Sequence, residues 1–118
     1  MTREIIGAAM EVHRTLGPGF VESVYRNALC HELKTRGLAF SAEQEVRITY
    51  KSLVVGRDRL DLLIENSVIV ELKALSGIAD AHLAQATSYM RATGMRVSLV
   101  VNLGEPKLVW KRLVNSRN

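Results

Sequence analysis

Residues 61–73 read DLLIENSVIVELK, two apolar runs joined by a polar triplet. The runs Leu62–Ile64 and Val68–Val70 are too short for helices and are typical of strands with both faces covered. The triplet Glu65–Ser67 supplies the polar residues of a turn. We therefore predict a hairpin of two buried strands, around which the rest of the chain is organised.

Three charged residues interrupt this apolar hairpin. Strand side chains alternate between faces, so Glu71 and Lys73 point the same way, and Asp61 can reach the same place from the neighbouring strand. Burying two acids and a lysine costs free energy unless something compensates for it. A divalent cation held by the carboxylates would compensate, and Mg²⁺ prefers oxygen ligands and keeps several waters. Such an ion lowers the pKa of a bound water, and a lysine beside it can orient that water for phosphodiester hydrolysis.

The order of these charged residues carries a family resemblance. Asp61, followed on the next strand by Glu71-Leu72-Lys73, resembles the PD-(D/E)XK nuclease superfamily. Leu60 stands where the superfamily's name has a proline, a position that is loosely kept among such nucleases.

A second stretch, GPGFVESVY over residues 17–25, is similar to the signature of the small GxxExxY proteins, a bacterial and archaeal branch of that superfamily. Gly19, Glu22 and Tyr25 occupy its three named positions. The similarity extends from about residue 5 to residue 114, which is nearly the whole chain.

The resemblance implies a restriction-endonuclease-like fold and a nuclease dependent on Mg²⁺ or Mn²⁺. It implies Asp61 and Glu71 as metal ligands, with the Leu72 backbone carbonyl as a further ligand. Lys73 would activate or orient the attacking water. Glu22 would be an accessory acid and a further candidate ligand, contributed by a helix.

Two tyrosines and a glutamine would support the site. Gln85 and Tyr89 lie four residues apart on one face of a predicted helix. The segment QATSY resembles the QxxxY motif of the exonuclease-like branch, which implies that Gln85 contacts substrate or its water. Without the resemblance, the two residues are a surface glutamine and a core tyrosine. Tyr25 would pack beside Glu22, with its hydroxyl available for a hydrogen bond within the site.

The assignments of Glu22 and Asp61 to the site each have an alternative. From spacing alone, Glu22 is a half-exposed residue paired with Arg26 one turn later. Asp58 is a second carboxylate near the hairpin. It is three residues from Asp61, so the two should face opposite sides of a regular strand, and we prefer Asp61 unless a bulge near Gly56 changes the alternation.

Composition bounds the class of protein. The chain has 118 residues, 47% hydrophobic and 24% charged, which predicts one globular domain over residues 1–118. The resemblance implies that the nuclease-like core of this domain lies at about 5–114. Without an apolar run of about 20 residues or a signal-peptide core, we expect a cytoplasmic protein that does not enter a membrane. The single cysteine, Cys30, fits a reducing compartment and excludes a thiolate metal site.

The charge balance leans only mildly toward a polyanionic partner. The formal net charge is +4, and charge alone favours an ordinary solvated surface. With the nuclease resemblance, we expect a nucleic-acid partner, DNA in preference to RNA. Aromatic residues make up only 5% of the chain, which does not suggest a stacking platform for single strands. A homodimer is compatible with the small size. The candidate phosphate contacts are Arg57, Arg59, Arg91, Lys111 and Arg112, with Lys51 and Lys107 in addition.

Periodicity predicts the order of elements. Helices are expected at about 4–16, 21–36 and 80–93, and strands at 44–50, from residue 53 through the hairpin, at 97–101 and at 108–114, with the last three residues frayed. This order predicts an α/β sandwich, a mixed central sheet of about five strands flanked by helices, in which the helix at 80–93 joins parallel strands.

Three functions fit these features. The first is the metal-dependent nuclease. The second is a nucleic-acid-binding or assembly module that kept the fold but does not turn over substrate. The small size of the domain fits this interpretation. The third treats Asp61, Glu71 and Lys73 as a structural ion-pair network. The filled motif positions favour the nuclease, because a decayed site should have lost at least one of them.

Overall fold

The computed structural model describes residues 1–115 and gives them three helices and five strands. The predicted fraying of residues 116–118 lies outside the described part. The elements are α1 (Thr2–Leu16), α2 (Glu22–Thr35), β1 (Phe40–Tyr50), β2 (Leu53–Ile64), β3 (Val68–Lys73), α3 (Asp80–Thr93), β4 (Val97–Asn102) and β5 (Val109–Val114).

The five strands form one mixed sheet in the order β1-β2-β3-β4-β5. Neighbours are antiparallel except β3 and β4, which are parallel and joined by α3. This confirms the predicted α/β sandwich of restriction-endonuclease-like type. No helix within residues 1–115 is long and apolar enough to cross a membrane.

The two faces of the sheet are covered by different helices. α1 and α2 pack on one face, where Ile5, Ala9 and Val12 of α1 are buried. α3 covers the other face and buries Tyr89 and Met90. The strand residues on the α1 and α2 face are Leu62, Ile64, Val68, Val70, Leu72, Leu99 and Val101, and those under α3 are Val46, Leu60, Leu63 and Ile69.

Side-chain alternation in β2 is interrupted beside Asp61. Leu60 packs under α3, although Leu62 packs on the opposite face. The interruption lies opposite Glu43 of β1, whose φ of 54° is in the left-handed region. Asp58 faces α3, where its Oδ2 accepts the Tyr89 hydroxyl, whereas Asp61 contacts Arg26 of α2 and the backbone N–H of Leu72.

A bulge near Gly56 was also predicted, and the structure has one there. The register of β1 and β2 shifts by one residue between Ile48 and Thr49, opposite Gly56. Beyond this point the hairpin extends past the helices. Ile48 and Tyr50 are 38% and 62% exposed, because α3 covers the strand only as far as Val46.

Candidate active site

Asp61 lies where β2 and β3 separate. The ladder between the two strands ends at the pair Leu62 and Val70, so the next amide of β3 that could pair is free for another acceptor. Asp61 Oδ2 accepts the backbone N–H of Leu72 at 2.8 Å, and its Oδ1 lies 3.4 Å from Arg26 Nη1. These contacts hold the Asp61 carboxylate at the point where β2 and β3 separate.

Glu71 is the most deeply buried acid of the site. Only 6% of the residue is exposed, and its Oε1 has no hydrogen-bond partner. Burial raises the pKa of the Glu71 carboxyl to about 8; the negative charge of Asp61 and a hydrogen bond to it add to the rise, while the Lys73 ammonium opposes it. A buried carboxyl with an orphaned oxygen beside a second carboxylate is a configuration that a bound cation would relieve.

Lys73 is the last residue of β3, lies on the same face of that strand as Glu71 and is half-buried. It pairs with Asn102 of the parallel strand, and its carbonyl accepts the N–H of Leu103 at 2.8 Å. Asn102 is fully buried, and its amide group both accepts from the N–H of Leu75 and donates to the Leu75 carbonyl, each at 3.0 Å. Hydrogen bonds to the buried Asn102 side chain thus hold the segment that follows β3.

Tyr89 and Asp58 form a second pair on this face. The Tyr89 hydroxyl donates a hydrogen bond to Asp58 Oδ2. Burial, this hydrogen bond and the negative charges of Asp58, Glu71 and Asp61 together raise the pKa of Tyr89 above its ordinary value. Tyr89 is therefore both a core residue and a neighbour of the site, and it engages Asp58 rather than Asp61.

Arg26 is a site residue that the sequence analysis missed. It was considered only as a partner of Glu22, but its guanidinium instead bridges Glu43, at 2.8 Å, and Asp61. Within residues 1–115, Glu22 makes no ion pair or side-chain hydrogen bond, and it is half-buried one turn before Arg26. The i, i+4 spacing of an acid and an arginine could not distinguish these arrangements, because Glu43 enters the site only through the distorted backbone of β1.

Three further predicted site residues lie on β3, α3 and α2. Leu72 buries its side chain in the core opposite the carboxylates. Gln85 is exposed on α3, one turn before Tyr89. The Tyr25 hydroxyl bonds the backbone of the loop before α2, at Gly17 and Phe20, rather than a side chain of the site.

The predicted phosphate contacts are exposed but are spread over three elements. Arg57 and Arg59 flank Asp58 on β2, so they point away from α3. Their guanidinium groups lie 4.0 Å from Glu45 and 3.5 Å from Glu43, respectively. Arg91 is on α3, and Lys111 and Arg112 are on the edge strand β5. The structure does not gather these side chains into one patch.

The donors fit a cation that needs few protein ligands. Among residues 1–115, no group of three or more histidine, cysteine, aspartate or glutamate side chains is arranged to hold a metal ion. Asp61 and Glu71 supply two carboxylates, and Glu71 Oε1 is unpartnered. Two carboxylates suit Mg²⁺, which usually keeps several waters and takes one or two protein carboxylates.

A mixed sheet between helices, with an acid on one strand and an acid and a lysine on the next, defines a restriction-endonuclease-like α/β domain. The chain belongs to the PD-(D/E)XK nuclease superfamily, whose family model matches residues 1–113. Nucleases of this superfamily generally use divalent metal ions. No curated protein sequence matches the chain.

Solved structures support the fold. The chain is similar to the crystal structure of SSO0001, with a TM-score of 0.66 and 16% identity, over 82% of this chain and 52% of that one. It is also similar to an alkaline exonuclease, LHK-Exo, from Laribacter hongkongensis, with a TM-score of 0.57 and 10% identity, over 80% of this chain and 56% of that one. The chain thus spans about half the length of the structures it matches.

Proposed function

We propose that this protein is a magnesium-dependent nuclease that hydrolyses phosphodiester bonds, with Mn²⁺ able to replace Mg²⁺. The observation that carries the proposal is the buried Glu71 carboxyl, with one oxygen unpartnered, beside the half-buried carboxylate of Asp61. Membership of the PD-(D/E)XK nuclease superfamily supports it.

Each residue has a role that its contacts allow. Asp61 and Glu71 would hold the ion, together with the Leu72 carbonyl. The ion, when bound, lowers the pKa of a water and neutralises charge on the phosphate. Lys73, next to Glu71 on the same face of β3, orients the attacking water and stabilises the developing negative charge.

Arg26 adds a positive charge that sequence reasoning had not assigned. Its contact with Asp61 keeps it within reach of a phosphate placed at the site. Gln85, exposed one turn before Tyr89, contacts the substrate or its water. Glu22 serves as an accessory acid at the start of α2.

We further infer that the chain belongs to the GxxExxY branch and acts on DNA in preference to RNA. Gly19, Glu22 and Tyr25 occupy the motif positions of that branch. The two hydrogen bonds that the Tyr25 hydroxyl makes to the loop before α2 give one of these positions a physical role.

The direct test is cleavage of labelled DNA and RNA by the purified chain with Mg²⁺, with Mn²⁺ and with a chelator. We expect cleavage that depends on the ion and falls by several orders of magnitude in Glu71→Gln and Lys73→Met. Glu45→Gln is the matched control, because Glu45 is an exposed carboxylate of β1 outside the site.

Binding without cleavage under every ionic condition would contradict the nuclease and favour the nucleic-acid-binding module. Neither binding nor cleavage would favour a structural role for the charged cluster.

A further inference from the structure

The loop between α1 and α2, residues 17–21, presents apolar side chains to solvent. Phe20 is 47% exposed and Val21 is 67% exposed. An exposed apolar side chain does not gain the free energy of burial, although single exposed apolar residues are common on protein surfaces. Here two large apolar side chains are exposed next to each other on one short loop.

The loop is held rigidly by Tyr25, which is fully buried. The Tyr25 hydroxyl donates to the Gly17 carbonyl at 2.6 Å and accepts the N–H of Phe20 at 3.2 Å, which ties the two ends of the turn together. Gly17 and Gly19 have φ of 71° and 115°, values that favour glycine. The backbone at Phe20 is therefore tied to α2 by the Tyr25 hydroxyl.

One edge of Phe20 is used for packing. Its ring meets the Tyr25 ring edge-on, with centroids 6.1 Å apart and planes at 78°. Phe20 precedes the N-cap residue Val21, so this contact is a hydrophobic staple at the start of α2. A hydrophobic staple requires only an apolar side chain, and this contact leaves nearly half of Phe20 exposed to solvent.

Two contacts place the loop at the active-site end of the sheet. At the end of α1, the His13 ring nitrogen Nε2 bonds the Glu105 carbonyl at 2.9 Å, just beyond the end of β4, which pairs with Lys73 through Asn102. At the start of α2, Arg26 reaches Asp61. The loop lies in sequence between these two anchors, at the same end of the sheet.

We propose that Phe20 stacks on an unpaired nucleobase of the strand that enters the site, which makes a single strand or a frayed end the favoured substrate. This inference rests on the proposed nuclease function. A base in a duplex stacks on its neighbours, whereas an unpaired base offers a free face to an aromatic ring. The low aromatic content of the chain does not oppose this, because a single fixed ring suffices.

Three substitutions distinguish stacking of Phe20 on a nucleobase from its apolar packing at the start of α2. Phe20→Leu keeps an apolar staple but removes the aromatic face, and Phe20→Trp keeps both. Trp110→Leu is the matched control, because Trp110 is a 39% exposed aromatic residue on the edge strand β5, against α1. Thermal melting verifies that each variant folds.

The readout is the affinity for a short single-stranded DNA with one 2-aminopurine. It is measured with Mg²⁺ on a Lys73→Ala background so that no cleavage occurs. We expect Phe20→Leu to weaken binding about 5- to 100-fold and to abolish the quenching of 2-aminopurine at one position of the strand. Phe20→Trp should retain both, and Trp110→Leu should bind like the parent. The fully paired duplex should show little dependence on Phe20.

Equal affinity and quenching in Phe20→Leu and its parent would overturn this inference. If the unsubstituted chain also cleaves nucleic acid, that result leaves the proposed function intact. A parent protein that binds neither strand nor duplex overturns the inference and the proposed function together.

Discussion

At the scale of single residues, the site depends on two carboxyls that differ in environment. Asp61 has both oxygens engaged, one by the Leu72 amide and one by Arg26, so it remains a fixed acceptor. Glu71 is buried with one oxygen unpartnered, and burial raises its pKa to about 8. Near neutral pH and without a metal, Glu71 therefore carries a proton that a cation must displace.

The raised pKa makes a prediction about stability. A folded-state pKa above the ordinary value of 4.5 means that the folded state binds more protons than the unfolded chain between those two values. The free energy of unfolding of the metal-free protein should thus fall as pH rises from about 4.5 to about 8. Glu71→Gln, which does not ionise, should escape this loss and exceed wild type by on the order of a few kcal/mol near pH 8.

Denaturant titrations over that pH range, in a chelator, measure the difference between Glu71→Gln and wild type. Glu45→Gln, at an exposed carboxylate, is the control. A difference that stays flat with pH would show that Glu71 does not lose its proton across this range.

Asp58 and Asp61 lie three residues apart on β2, and their contacts predict different roles. Asp61→Asn should abolish Mg²⁺ binding, because it removes one of the two carboxylates of the site. Asp58→Asn should keep the ion and act only through the hydrogen bond from Tyr89, with at most about 1–3 kcal/mol of lost stability. Calorimetric titration and melting of both variants test this; loss of the ion in Asp58→Asn alone would reassign the ligand.

At the scale of elements, most of the fold could be predicted from the sequence because periodicity reports burial directly. The helix at 80–93 and the hairpin of β2 and β3 are where the pattern placed them. The side-chain alternation of β2 could not be predicted, since it depends on the left-handed backbone of Glu43 in another strand. Arg26 was missed for the same reason, as its partner Glu43 comes from that strand.

The turn after β4 packs closely on the segment that leaves β3, and this predicts a pair of contrasting glycine substitutions. A Cβ at Gly104 would lie 2.4 Å from the backbone N and O of Leu75, so Gly104→Ala must displace that segment. We expect a loss of roughly 2–4 kcal/mol in unfolding free energy. Gly77→Ala meets nothing within 4 Å and should change stability by less than about 1 kcal/mol.

Urea unfolding of Gly104→Ala and Gly77→Ala against wild type makes the comparison. A Gly104→Ala protein as stable as Gly77→Ala would mean that the close approach of the two turns does not constrain the fold.

At the scale of the whole molecule, the formal net charge of +4 is distributed rather than focused. Arg57 and Arg59 flank Asp58 on β2, whereas Arg91 is two residues beyond Tyr89 and on the outer side of α3. We therefore expect Arg57→Ala and Arg59→Ala each to reduce the slope of log affinity against log salt by about 1, and Arg91→Ala to leave it unchanged. Binding of DNA over a range of salt concentrations gives these slopes, and an effect of Arg91→Ala alone would place the DNA across α3 instead.

The most direct test of the account is calorimetric titration of the protein with Mg²⁺ near pH 7, in buffers that differ in ionisation enthalpy. We expect one ion to bind near pH 7 with release of close to one proton, taken from Glu71, and we expect this release to fall to about half near pH 8 and nearly to vanish by about pH 9. Glu71→Gln and Asp61→Asn should bind no ion. Absence of binding by wild type, or binding that releases no proton and persists in Glu71→Gln, would contradict the metal site at these two carboxyls.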